Sequence, residues 1–583
     1  MIGLNIGLSV LVVATFVSLF GFREPLLMAL WLYALQTLLL AFFVLEKLVR
    51  TFNAESRWAY WRMHWYELPL WGYLLLVAFA RDSWSAWVNS EDVWHFAVGM
   101  YLVLQVVIKA CRTTVALAAK GRNPTRMLIA SFVVLILVGA GVLCLPNAAT
   151  DEPLGFVDAL FTATSATCVT GLVVKDTGAD FSLMGQMVIL ALIQLGGLGI
   201  VVFGVVFSLL LGQALSLRES VAVQDLLSTN TLNRIGNMIG FIFTFTLVVE
   251  VLGTFGLMSL WPSDPAWTGT VQDQWFYSIF HAISAFCNAG FGLYGNSLER
   301  FDGRWEVYGV IAPLIVLGGM GFSVLYNLCN VIVDRIKRTL AWICSSQARL
   351  MMRPPKPVSL QSKIVVSVSV FLILAGTVFL YPLDRWSDGA GTGSCASWPA
   401  AFFQSISART AGFNTVSIHE MTGTGRLVLM VLMFLGGSPG STAGGIKTVT
   451  LAVIVMAIVT TLRKRGEVEM FHRSVGTAVV GRAVTVTGLF VGVLLLATFL
   501  LSITERGHTA DVTLDDILFE TTSALGTVGL STGITPGLTG LGKCIIICVM
   551  LIGRLGPLTL LAALTFDVKA ARYSYPAEPV MVG

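Results

Sequence analysis

The stretch Phe161-Thr-Ala-Thr-Ser165-Ala-Thr-Cys-Val-Thr-Gly171 returns three more times in a chain of 583 residues. The copies are Phe280-His-Ala-Ile-Ser284-Ala-Phe-Cys-Asn-Ala-Gly290, Phe403-Gln-Ser-Ile-Ser407-Ala-Arg-Thr-Ala-Gly412 and Phe519-Glu-Thr-Thr-Ser523-Ala-Leu-Gly-Thr-Val-Gly529. Each is amphipathic, contains Ser-Ala, reaches a glycine a few residues later, and lies between two long apolar runs. A helix of about 11 residues is too short to cross a bilayer, so each reads as a re-entrant helix ending in a loop. Four such units can surround one axis, and four loops with free carbonyls on that axis would form an ion filter.

Composition sets the medium. The chain is 56% hydrophobic and 12% charged, with mean hydropathy +0.80, too little polar surface for a soluble protein of this size, so it belongs in a bilayer. The net charge of +4 is modest, and no basic stripe with interleaved aromatics points to nucleic acid. The nine cysteines are scattered, several in apolar runs (Cys144, Cys544, Cys548). They suggest neither a zinc site nor a disulfide framework. The N-terminus lacks a basic region and a cleavage site and reads as a retained membrane helix.

Apolar runs at about 2–21, 26–46, 66–81 and 91–108 come first. A pattern of run, short amphipathic stretch and run then repeats four times: about 127–145, 158–168 and 184–212; 236–260, 273–286 and 306–334; 363–382, 398–408 and 425–462; 483–503, 514–525 and 541–565. The expected fold is therefore an all-α polytopic membrane protein: residues 1–125 are extra transmembrane helices with a basic linker, followed by repeats at 126–217, 218–345, 346–475 and 476–583. Basic residues mark the cytoplasmic side: Lys109, Arg112, Lys120, Arg122 and Arg126; Arg335, Lys337, Arg338, Arg349, Arg353 and Lys356; Arg463, Lys464, Arg465, Arg473 and Arg482. Both termini then face the cytoplasm. The loops before the short stretches are acidic (Asp151, Glu152 and Asp158; Asp264 and Asp273; Asp384 and Asp388; Glu505, Asp511, Asp515 and Asp516). At an outer mouth they would concentrate cations.

The expected filter residues are Cys168, Val169, Thr170 and Gly171; Cys287, Asn288, Ala289 and Gly290; Arg409, Thr410, Ala411 and Gly412; and Gly526, Thr527, Val528 and Gly529. Glycine permits the non-helical torsions that aim carbonyls at an ion. No ring of carboxylates appears, which argues against calcium. These segments resemble the four filters of the Trk/Ktr/HKT superfamily of cation transporters, and most of all the Ktr-type potassium-translocating membrane subunit, over about residues 126–572. The resemblance implies four pseudo-repeats around one pore, potassium permeation favoured by glycine at position 171, a homodimer with one pore per protomer, and a cytosolic ring of nucleotide-binding regulatory subunits. Potassium is then cargo, no bound cofactor is expected, and nucleotide enters only through the partner. The third copy reaches its glycine one residue sooner than the others, and the first four helices exceed the family core.

A second break in the apolar pattern is Phe434-Leu-Gly-Gly-Ser-Pro-Gly-Ser-Thr-Ala-Gly-Gly-Ile-Lys-Thr448. Gly436, Gly437, Gly440, Gly444 and Gly445, with Pro439, cannot sustain a helix. Irregular backbone at membrane depth must be buried in protein or line a cavity. Gly436 through Gly445, including Ser438, Ser441, Thr442 and Ala443, with Lys447 at the cytoplasmic end, are therefore expected to line the pore. The spacing from Gly440 to Gly445 evokes a phosphate loop, but Ile446 displaces the lysine and no strand precedes it. The superfamily has an intramembrane gating loop here. It also has an arginine matching Arg554, which a membrane run tolerates only against protein or pore. Glu250 is a second intramembrane charge, expected to pair helices. No helix carries the regular arginines of a voltage sensor, and no polar segment is long enough for a soluble catalytic domain.

Overall fold

A computed structural model describes residues 2–24, 28–53, 124–199, 235–344, 355–385, 397–506 and 512–557, with isolated positions between 56 and 102 and at 561. Two N-terminal helices, α1 (Ile2–Phe20) and α2 (Ala29–Phe52), pack together over Val12, Leu39 and Phe43. They attach to the remainder through polar contacts at one end. Arg23 donates to the Thr150 carbonyl at 2.8 Å, and Asn147 donates to the carbonyls of Phe20 and Phe22 at 2.8 and 3.0 Å. The helices expected at 66–81 and 91–108 lie, apart from single positions, outside the described residues.

The four repeating units follow. The first is α3 (Pro124–Leu143), α4 (Phe156–Thr167) and α5 (Leu183–Leu198). The second is α6 (Ile235–Leu257), α7 (Val271–Cys287), α8 (Ala312–Gly319) and α9 (Phe322–Cys344). The third is α10 (Leu360–Arg385), α11 (Trp398–Ser407), α12 (Gly423–Phe434) and α13 (Thr448–Leu462). A hairpin, β1 (Val468–Met470) and β2 (Arg473–Val475), leads into the fourth: α14 (Thr477–Thr504), α15 (Leu514–Gly526) and α16 (Gly540–Leu555). By length and composition Met238–Ser263, Leu360–Leu383 and Thr477–Thr504 can each cross a membrane, and Val307–Gly319 with Phe322–Thr339, bent by 108°, form either a broken span or a re-entrant loop.

Three of the four short helices, α7, α11 and α15, begin at a side-chain cap. Thr270 and Asp273 form a reciprocal capping box on α7, as do Thr513 and Asp516 on α15. Thr270 donates twice to Asp273, through its N–H and its hydroxyl, holding that carboxyl below its ordinary value. The short helices α4, α7 and α15 each pack against the helix before and the helix after, and α11 packs against α10 before it. In addition α5 packs on α7, α8 on α11, α12 on α15, and α16 returns to α4. The four units therefore form a closed cycle in chain order.

Three expected runs break sooner than read. The run at 306–334 is broken between α8 and α9, where Gly321 takes φ +87°. The first and fourth units show the same device: α5 stops at Gly199 (φ +84°) and α16 at Gly556 (φ +83°). A single glycine in an apolar run is a weak signal, but a positive φ ends a helix wherever a Cβ would oppose it.

Candidate functional site

The phenylalanine that opens each repeated segment is an anchor. Phe161, Phe280, Phe403 and Phe519 are all fully buried. One turn later, the carbonyls of Ser165, Ser284 and Ser523 accept from the N–H of Thr170, Ala289 and Val528, each at 2.8 Å. The third segment differs by one residue: the Ser407 carbonyl accepts from Ala411 at 2.9 Å, a span shorter by one. From there the four converge. Val169, Asn288, Thr410 and Thr527, each two residues before the glycine, are left-handed, with φ 55°, 58°, 78° and 50°. Gly171, Gly290, Gly412 and Gly529 follow with φ 93°, 69°, 80° and 95°. The missing residue in the third copy is absorbed on the helix side, before Thr410.

The serine hydroxyls work in two ways. Ser165 and Ser523 accept from the N–H of Gly171 and Gly529, each at 3.1 Å. Ser284 donates to the Phe291 carbonyl at 2.7 Å, and Ser407 donates to that of Phe413.

The four glycines are neighbours in a ring. A Cβ on Gly171 would lie 2.5 Å from the Ala289 carbonyl oxygen and 3.0 Å from the Gly290 Cα. One on Gly290 would lie 2.8 Å from the Ala411 oxygen and 3.0 Å from the Gly412 Cα. One on Gly412 would meet the Val528 oxygen, and one on Gly529 the Thr170 oxygen. All four glycines line one cavity of about 470 Å³, together with Asp176, Glu299, Asn414 and Ser531.

The side chains of most remaining filter residues are enclosed by protein. Cys168, Thr170, Ala289, Ala411 and Val528 are buried. Cys287 Sγ donates to Gln194 Oε1 at 3.5 Å. Arg409 sends its guanidinium to Ser369 of α10, at 3.2 Å from the hydroxyl. Sequence reading passed over the polar residue after each phenylalanine. His281 accepts from the Leu293 N–H at 3.4 Å, and Glu520 accepts from Ser531 and, at 3.0 Å, from Thr535. Both side chains support the chain as it leaves the glycine. The recurring Phe-polar-x-x-Ser was the available signal.

The acidic residues do not all stand free. Asp158 pairs with Lys543 at 2.6 Å, Asp264 with Arg300 at 3.6 Å, and Asp516 with Arg426 at 2.9 Å. Glu505 accepts from the Thr539 hydroxyl at 2.7 Å. The carboxylates lining the cavity are instead Asp176 and Glu299. Burial, and secondarily the charge of Glu420, raises the Glu299 carboxyl above its ordinary value, against a hydrogen bond from Asn414. Asp388 and Asp511 lie outside the described residues.

The segment from Leu435 to Lys447 is not helical, as expected. Some of its backbone bonds stay in its own unit, as from Ile446 to the Phe434 carbonyl at 3.3 Å, and others go to the second unit. Ser438 and Thr442 donate to the Gly319 and Gly318 carbonyls at 3.0 and 3.4 Å, and Gly440 accepts from Phe322 at 2.9 Å. The Thr442 hydroxyl reaches the Phe286 carbonyl at 3.4 Å, and Gly444 lies against Thr527 and the Gly526 carbonyl. The segment thus abuts both the glycine break in the second unit and the ends of α7 and α15. Arg554 donates to Thr442 in this segment, and to Gly196 and Gly197 at the end of α5 at 2.5 and 3.1 Å. A guanidinium with several donors suits such a carbonyl cluster. Lys447 turns back on the segment, its Nζ 2.7 Å from the Ala443 carbonyl. Glu250 bonds Gln194 on α5 at 3.3 Å, joining α6 to α5.

The chain has relatives among known proteins. The chain is 37% identical to "Ktr system potassium uptake protein B" of Vibrio alginolyticus, over 80% of this chain and 96% of that protein. It is 34% identical to "Potassium/sodium uptake protein NtpJ" of Enterococcus hirae, over 80% and 98%. Its fold is similar to the potassium transporter TrkH of Vibrio parahaemolyticus (TM-score 0.58, 17% identity, 86% of this chain and 98% of that one). These relatives are transporters rather than enzymes. A family described as "TrkH: Cation transport protein" matches residues 95–572, and the chain belongs to that family.

Proposed function

We propose that this chain takes up potassium across the membrane through the ring of Gly171, Gly290, Gly412 and Gly529. The single observation that carries the reading is that these four glycines, from four successive units, adjoin in chain order at one cavity. Backbone carbonyls of the residues before each glycine would replace the ion's hydration shell. The membrane potential, worth about 2.3 kcal/mol per charge per 100 mV, would drive entry. Asp176 and Glu299 would draw cations into the cavity.

The segment 436–447 acts as the gate in this reading. It adjoins the ends of α7 and α15, and Arg554 ties it to α5. A positive charge there opposes passage until the segment moves. A homodimer, and regulation by a cytosolic nucleotide-binding ring, complete the proposal. Exposed Arg463, Lys464 and Arg465 suit such a partner. The protein would lie in the plasma membrane with both termini cytoplasmic.

A second reading is sodium permeation alongside potassium, supported by the relative named for both ions. Ion flux into liposomes carrying the purified protein separates the two. Potassium preferred over sodium, with the preference lost in Gly171→Ser, is the expected result. Equal flux of both ions in the unaltered protein would favour the second reading.

A further inference from the structure

The first turns of α10 and the length of α13 present matching apolar faces. On α10 the residues are Ile364, Ser367, Val368 and Phe371, spaced as one helical face. On α13 they are Leu451, Ala452, Val455 and Met456. The β1–β2 turn closes one end with Met470 and Phe471. Together they bound an almost wholly apolar groove of about 400 Å³, within the usual size of a ligand site. Phe371, Val455 and Phe471 remain 67%, 47% and 48% exposed along it. The groove runs beside the candidate span Leu360–Leu383, so its depth faces hydrocarbon.

Its closed end is basic. Lys363 stands 6.0 Å above the Phe471 ring. Arg473 pairs in register with Met470, and Arg463 and Lys464 follow the last residue of α13. All four cations are exposed. Among the described residues no carboxylate lies within 4.0 Å of them, and Glu469, the one carboxylate lining the groove, is paired with Arg465 at 3.0 Å. An apolar slot at membrane depth, capped by unpaired cations at the interface, matches an acyl chain below a negative headgroup. A second copy of the chain fits less well, because a self-matched contact would set one basic rim against another.

We propose that this groove binds one anionic phospholipid, with an acyl chain between α10 and α13 and the phosphate at Lys363 and Arg473. The site is separate from the glycine ring and independent of which ion the protein carries.

Native mass spectrometry of the detergent-purified full chain would test it, with phosphatidylglycerol and phosphatidylcholine of identical chains supplied together. Preferential retention of phosphatidylglycerol is expected. Lys363→Gln and Arg473→Gln should each cut that preference about fivefold, the equivalent of roughly 1 kcal/mol per interfacial cation. Ser367→Trp, which fills the groove from an exposed position, should remove the bound lipid while the protein elutes unchanged on gel filtration. Equal retention of the two lipids, or a preference untouched by both charge variants, would overturn the proposal. So would efficient disulfide cross-linking of Val455→Cys between copies, which would assign the groove to a second chain.

Discussion

Two glycine-rich regions of this protein use glycine for different reasons. In the ring of Gly171, Gly290, Gly412 and Gly529, the space a Cβ would need is already filled by the backbone of the adjacent unit. The torsions are positive as well, so position and conformation both exclude other residues. In the segment 436–447 the crowding is uneven. Gly440 has φ +67° but open space around it, and the segment is held by carbonyls and donors borrowed from the other units. The ring is determined by its own backbone, four times over. The segment is determined by its neighbours, and what neighbours hold they can release.

The largest effect should come from attacking the ring. Gly171→Ser places a Cβ against the Ala289 carbonyl and strains φ +93°. Strain of about 1–3 kcal/mol in the carbonyl geometry corresponds to roughly 10- to 100-fold loss of potassium preference over sodium. Liposome flux with the two ions measures it, and an unchanged ratio would remove the ring from the selectivity argument.

Attacking the segment's anchor should act in the opposite sense. Arg554→Gln removes charged hydrogen bonds to Thr442, Gly196 and Gly197, each worth about 1.5–3 kcal/mol. Potassium flux without any regulatory partner should rise about tenfold, with selectivity intact. Falling flux would mean that the arginine supports the conducting state.

Gly440→Ala sharpens the contrast, since only the torsion resists it. A cost of roughly 1 kcal/mol is expected, seen as a small fall in thermal midpoint with selectivity unaltered. A collapse of folding there would show that the segment is as constrained as the ring.

The smallest effect concerns the cavity. Because burial raises the Glu299 carboxyl, its negative charge is complete only above that raised value and is lost as outside pH falls through it, before carboxylates of ordinary value titrate. Potassium entry should therefore decline on mild external acidification. Glu299→Gln should lower entry at neutral pH by about twofold and flatten this part of the profile. A variant with the original pH profile would assign the titration to another group.

Much of the fold was legible because the repeated segments are short, amphipathic and framed by apolar runs. The four short helices fall within two residues of their expected positions. The cluster at Gly436–Gly445 was legible because so many glycines beside a proline admit no helix. The breaks at Gly199, Gly321 and Gly556 were not, since one glycine in an apolar run is common in membrane helices. The pairing of Asp158 with Lys543 spans 385 positions, and no local pattern encodes it. The contact of the Lys447 side chain with the Ala443 carbonyl was not legible either. That outcome depends on carbonyls left free by the irregular backbone. The one-residue deficit in the third segment was visible, but its accommodation before Thr410 follows only from the backbone torsions.

The closure of α16 on α4 carries a last consequence. A ring built from four identical subunits must repeat any substitution four times. Here each quadrant is encoded separately, so evolution can alter one and spare three. Arg409 stands where the other quadrants have Cys168, Cys287 and Gly526, and the long glycine segment interrupts a single quadrant. Asymmetry of this kind would let one side of the ring diverge while the others keep the geometry that an ion would read.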